Sequence, residues 1–98
     1  MSGGHFDYDQ YKISEIADAI ERVIQNNNSG EVDEYGYRIG YDFSNETIQE
    51  FHAAVANLKI AFAYAHRIDW LLEGDDNEET FHKRLKEDLE KVSRRGLL

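Results

Sequence analysis

Apolar positions recur along this chain at two periods. Between Gln10 and Gln25, Ile13, Ile16, Ala17, Ile20 and Ile24 return every three or four residues among charged neighbours, with Val23 at the edge. That spacing follows the helical turn, so 10–25 predicts an amphipathic helix with one apolar stripe. The run Asn26-Asn27-Asn28-Ser29-Gly30 stops it, because Asn and Gly tolerate turn and left-handed backbone. From Tyr35 to Phe43 the period changes to two, with Tyr35, Tyr37, Ile39, Tyr41 and Phe43 apolar at every odd position. This reads as a strand or an extended segment with one adhesive face. Gly36 and Gly40 weaken it as a strand interior, and a lone strand leaves its backbone groups unpaired. Two arrangements answer this: an extended loop over 26–43 laid across the helices, or pairing with a second copy of itself.

Helical spacing resumes at Ser44 or Asn45. Either can cap a helix, and Glu46 suits the positive end of its dipole. The predicted helix spans 45–73, about 43 Å, and ends at Gly74. Ile48, Phe51, Val55, Leu58, Phe62, Ala65 and Leu72 form a near-heptad stripe, which Asp69 interrupts. Around Ile60-Ala61-Phe62-Ala63-Tyr64-Ala65 the apolar surface widens, so this half meets neighbours on more than one side. Its alanines would let another helix approach closely. Asp76 followed by Glu79 resembles a capping box. A third helix over 77–94 then places Phe81, Leu85, Leu89 and Val92 on one face and frays near Gly96.

The expected fold is one all-α domain over 1–98. A long central helix forms an antiparallel hairpin with the first, a third C-terminal helix follows, and an extended aromatic excursion joins the first two. The central helix is nearly twice as long as the first. Apolar surface therefore stays uncovered in a monomer, and a homo-oligomer is expected.

Composition narrows the function. The 98 residues are 41% hydrophobic and contain no cysteine, which excludes disulfides, thiolate metal sites and Cys nucleophiles. No apolar run approaches the roughly 18 residues of a membrane span. The segment Met1–His5 has no basic or apolar part of a secretory signal. With the missing cysteines, this points to a reducing cytosol, such as a bacterial host cytoplasm. Twenty acidic residues against 11 basic ones give a net charge of −9. Residues 80–98 hold 6 basic and 3 acidic side chains, a mildly basic end on an acidic body. Duplex nucleic acid is not an expected partner, because it requires clustered Lys and Arg.

Candidate chemistry is sparse. His52 and His66 are separated by about 21 Å of helix and cannot share a metal ion within one chain. Asp75-Asp76-Asn77-Glu78-Glu79 lacks the alternating ligands of a calcium loop and reads as a helix start. No phosphate loop, nucleophile constellation or second convergent carboxylate is present, so neither an enzyme nor a bound cofactor is expected. Asp69 is the one carboxylate on an apolar helix face. It is either a buried anchor, held by a first-helix Lys or Arg or by the Tyr-rich N-terminus, or a ligand contact. In His5-Phe6-Asp7-Tyr8-Asp9-Gln10-Tyr11-Lys12 the aromatics either staple the first helix or offer Tyr8 and Tyr11 for stacking, with Lys12 for a phosphate.

The segments His5–Ile13 and Ala65–Asp76, followed by Phe81-His82-Lys83-Arg84-Leu85, resemble a group of small helical proteins of phages and prophages. The likeness spans most of the chain, departs in 26–43, and implies no particular activity. Leu58-Lys59-Ile60-Ala61-Phe62-Ala63-Tyr64-Ala65-His66-Arg67-Ile68 is similar to the second hairpin helix of phage "sponge" proteins. These are oligomers that sequester cyclic-nucleotide immune signals between subunits. That resemblance implies a small nucleotide ligand, with Tyr8, Tyr11 and Trp70 stacking on bases and Arg67 and Lys12 holding phosphates. His66 or Asp69 would read base or sugar edges. Two alternatives stand beside it. One is an acidic inhibitor of a host nucleic-acid-binding defence protein, of the anti-CRISPR type, whose carboxylates imitate phosphates. The other is a structural protein that oligomerises through Tyr35–Phe43.

Overall fold

A computed structural model describes residues 4–94. Three helices follow one another: α1 (Gln10–Asn26), α2 (Asn45–Leu72) and α3 (Glu78–Arg94). Their bounds lie within a residue of those the periodicity predicts. The expected fraying at Gly96 lies outside the described residues. α1 and α3 each pack along α2 and do not pack on each other, so α2 is the spine. Among the described residues there is no strand, only an isolated bridge between Val32 and Arg38. Among the described residues no helix is long and apolar enough to cross a membrane.

The helix ends follow from local chemistry. Ser44 caps α2 by accepting from the Thr47 amide at 3.3 Å. At the other end Gly74 takes a left-handed φ of 85°. The Gly74 amide then donates to the Leu71 carbonyl and the Asp75 amide to the Trp70 carbonyl. These two bonds close the helix in the manner that favours glycine just past a C-terminus. The start of α3 corrects the sequence expectation. Asn77, not Asp76, is the cap: its side chain accepts from the Thr80 amide at 2.9 Å, and Thr80 Oγ1 accepts from the Asn77 amide at 3.1 Å. Asp76 is instead buried, accepting from Thr80 Oγ1 and pairing with Arg84 at 3.2 Å. The tight turn after Gly74 draws it beneath α3, leaving the next residue to cap.

The excursion departs further from expectation. It is extended, but it touches the helices only at its two ends. Asn27 grips both backbone groups of Phe43 through its amide, and the Asn28 amide donates to the Tyr41 carbonyl at 2.7 Å. Gly40 fits so closely beneath Asn26 that a Cβ there would overlap its carbonyl oxygen. Phe43 stacks on Tyr41 and tilts against Phe51 of α2. Between these anchors residues 31–39 are all exposed. The backbone there is organised by its own bonds: Asp33 Oδ1 accepts from the Tyr35 and Tyr37 amides, and Arg38 pairs with Asp42.

The core is small. Ala17, Val55, Ala56, Ala63 and Val92 are its buried apolar residues, and Val55 is the one large side chain buried completely. Ile16 and Leu72, both on predicted apolar stripes, are more than half exposed. The cause is the layout: α2 has neighbours on one side only. The molecule measures 52 × 29 × 14 Å with a radius of gyration of 17.1 Å, against about 13 Å for a compact chain of this length.

Gly40→Ala should dislodge the excursion from Asn26 while leaving the helices formed. We expect a loss of about 1–3 kcal/mol and faster proteolysis within 27–43 at unchanged helical circular dichroism. Unaltered cleavage would show that the Asn26 contact does not hold the excursion.

Candidate functional site

The first turn is organised around a carboxylate from another helix. Gly4, Asp7 and Tyr8 all have positive φ, which curls the backbone before α1. The curl points the amides of His5 and Phe6 at Asp69 Oδ1, at 2.6 and 3.0 Å. Gln10 Nε2 reaches Oδ2 at 3.3 Å. Gly4 is required twice over: its φ is 62°, and a Cβ would sit 2.7 Å from Oδ2. Asp69 is only 5% exposed, so its charge is balanced by amide dipoles in the manner of an anion nest. Of the two holders proposed from sequence, the N-terminus is the one present. It acts through backbone N–H groups rather than tyrosine hydroxyls, and no Lys or Arg takes part.

Anchoring this turn brings Tyr11 onto α2. Its ring lies 5.6 Å from Phe62 and 5.6 Å from His66. Phe62, His66 and Trp70 follow one another up the helix at intervals of four, with His66 stacked on Phe62 at 5.2 Å and 5.1 Å from Trp70. His66 Nδ1 is buried without a hydrogen-bond partner among the described residues. Its pKa is pushed below the usual imidazole range, first by burial and then by Arg67, while Asp69 and Asp88 pull the other way. The ring is therefore held neutral. Arg67 turns to α3, where Nε meets Asp88 Oδ2 at 2.7 Å and Nη2 meets Oδ1 at 3.4 Å. Its guanidinium also lies 5.3 Å from the Trp70 ring centre.

Because α1 and α3 do not meet, a groove of about 410 Å³ runs between them over α2. Phe62, Ala63, His66, Arg67 and Lys59 supply α2's share of the lining, Ser14 and Asp18 that of α1, and Asp88, Lys91 and Val92 that of α3. Lys59 pairs with Glu21 at 3.0 Å. Lys91 makes no ion pair among the described residues. The groove thus gathers three cations, the two carboxylates of Asp18 and Asp88 and a neutral imidazole, a small positive balance on a chain of net charge −9.

Of the residues singled out from sequence, His66 and Arg67 line this groove. Tyr11 and Trp70 buttress His66 from beside it. Tyr8 is exposed and 6.3 Å from Tyr11. Lys12 pairs with Asp9 at 3.2 Å on an exposed turn and is not part of the lining. Asp69 has both oxygens occupied by the N-terminal turn. Lys59, Phe62 and Lys91 were not foreseen as site residues. The signal for Lys59 lay in helical spacing: 59 and 63 share one face with His66 and Arg67, the two residues already singled out. Nothing in the sequence placed Lys91 opposite them. No group of three or more His, Asp or Glu among the described residues is arranged to hold a metal ion. Comparison with known protein families, curated proteins and solved structures finds no match, so the site is read from its own geometry.

Two outcomes follow. Asp69→Asn exchanges a charge-assisted acceptor for an amide that cannot satisfy all three donors, and should cost about 2 kcal/mol, lowering the melting temperature by roughly 8–16 °C. A change of a degree or less would show that the N-terminal turn is not anchored there. His66 gives a pH signature. Its folded pKa lies below the unfolded value near 6.5, so the unfolded chain takes up the proton first. Its stabilising contribution is complete above about pH 6.5 and is lost as pH falls through the lowered folded value. The stability gap between wild type and His66→Gln should therefore narrow from pH 7 to pH 5. A gap that stays constant or widens would contradict a buried neutral ring.

Proposed function

We propose that the protein acts by binding rather than turnover, and that the groove between α1 and α3 sequesters a small ligand combining an aromatic ring with phosphate, as a nucleotide does. The observation that carries this reading is the pairing of cations with stacked rings in one groove. Lys91 is uncommitted, and Arg67 keeps three of its five N–H donors beyond the two facing Asp88. Phe62 and His66 both line the groove and offer ring surface there. The groove's volume falls in the usual range for small-molecule sites. The narrower form of this proposal, a phage-type anti-defence protein that sequesters a cyclic-nucleotide immune signal, draws on the likeness of 58–68 to sponge proteins. In it, Lys59 and Lys91 take the phosphate role first assigned to Lys12.

A second reading has its own observation. The excursion exposes Tyr35 and Tyr37 beside Glu31 and Glu34 on an internally bonded backbone. An acidic, aromatic, pre-organised loop suits the basic channel of a nucleic-acid-binding protein, and an inhibitor of such a protein would use it.

Native mass spectrometry of the protein with a panel of cyclic mono-, di- and trinucleotides separates the two. Under the first reading, integral ligand masses appear at micromolar concentration. Lys91→Ala, which removes no ion pair among the described residues, weakens binding by at least about tenfold. No uptake at millimolar nucleotide, or undiminished uptake by Lys91→Ala, overturns it. Inhibition of a nucleic-acid-binding effector that weakens steeply with salt would favour the second.

A further inference from the structure

α2 has a back that nothing among the described residues covers. Between Ala53 and Leu72 its charged side chains are Lys59, Arg67 and Asp69, and each is turned to a partner within the chain: Glu21, Asp88 and the N-terminal turn. The other side reads Ala53, Asn57, Ala61, Tyr64, Ile68 and Leu72, spaced three or four apart. All but the half-buried Ile68 are exposed, Tyr64 by 44% and Leu72 by 53%. This stripe runs about 28 Å without a charge. The molecule also exposes too much surface for its size. Its accessible area is 6988 Å², against about 5,800 Å² for a compact monomer of this mass. The excess, about 1,200 Å², is shared between this stripe and the exposed excursion.

We propose that this stripe packs against the same stripe of a second copy, α2 on α2 about a two-fold axis. Charge selects the occupant. Two chains of net charge −9 meet with least repulsion through a face that has no carboxylate. The excursion is the rival apolar surface, and it holds Glu31, Asp33, Glu34 and Asp42 against Arg38 alone. Pairing it with itself would set like charges opposite each other. Ala53 and Ala61 admit the 8–10 Å approach of packed helices, while Tyr64 and Leu72 supply the buried area. The pairing does not depend on the ligand reading, because Lys59, His66 and Arg67 lie on the other side of α2.

Sedimentation equilibrium of the full chain at tens of micromolar tests this. We expect twice the monomer mass of 11.4 kDa for the wild type, and a single mass with unchanged helical circular dichroism for Tyr64→Glu/Leu72→Glu, since both positions are exposed within the monomer. The chain has no cysteine, so a second measurement does not require a stable monomer. Among Asn57→Cys, Ala61→Cys, Tyr64→Cys and Ile68→Cys, at least one should oxidise rapidly to a disulfide-linked dimer, while Tyr37→Cys and Glu90→Cys should not. A wild-type monomer, a dimer that survives the double glutamate change, or cross-linking confined to Tyr37→Cys or Glu90→Cys overturns the proposal.

Discussion

The carboxylate of Asp69 is the constraint on which the rest of the molecule depends. A charge 5% exposed on the apolar side of α2 cannot be left without donors. The amides of His5 and Phe6 and the side chain of Gln10 supply them. Their geometry requires left-handed backbone at Gly4, Asp7 and Tyr8, and that bend sets where α1 begins. Once α1 begins there, Tyr11 comes to rest on Phe62 and His66, and α1 runs antiparallel to α2 towards Glu21 and Lys59. The groove's first wall is thus placed by a hydrogen-bonded anion, not by a large apolar core.

α3 is placed by the same kind of interaction. Arg67 reaches Asp88 across the helices, and Asp76 is held between Thr80 and Arg84 at the turn. Val92 is the one buried apolar residue on α3. With α1 and α3 each tied to α2 by polar contacts on one side, the spine's other side is left without charge from Ala53 to Leu72. The groove and the bare stripe are two results of one arrangement: between Ala53 and Leu72 the charges of α2 are used inward, so its outward surface there is neutral.

Most of the helical architecture was legible in the pattern. Isoleucines at three and four spacing mark α1, Ser44 and Gly74 bracket α2, and Phe81, Leu85, Leu89 and Val92 on one face mark α3. These signals are local, and the helix ends are completed by bonds among neighbours in sequence. The third cap was misread for a local reason as well: Asp76 and Asn77 are adjacent capping residues, and only the turn's path decides which faces the helix end. The excursion's period of two correctly marked extended backbone. It could not show that Tyr35 and Tyr37 point into solvent while Phe43 packs on Phe51, because that depends on where the helices lie. Of the groove's lining, His66 and Arg67 were named from the sequence through the resemblance carried by 58–68. Lys91 was not, since its place opposite them depends on how α3 crosses α2.

The sequence by itself determined three helices, their bounds, the acidic charge and the buried role open to Asp69, because each rests on spacing or on residue chemistry within a few positions. The tertiary structure alone decided which donors Asp69 takes, that Lys12 stays with Asp9 while Lys59 and Lys91 enter the groove, and that α1 and α3 leave a gap between them. Those outcomes join residues up to 64 positions apart in the chain. They depend on the backbone's path through space, and no periodicity along the chain records that path.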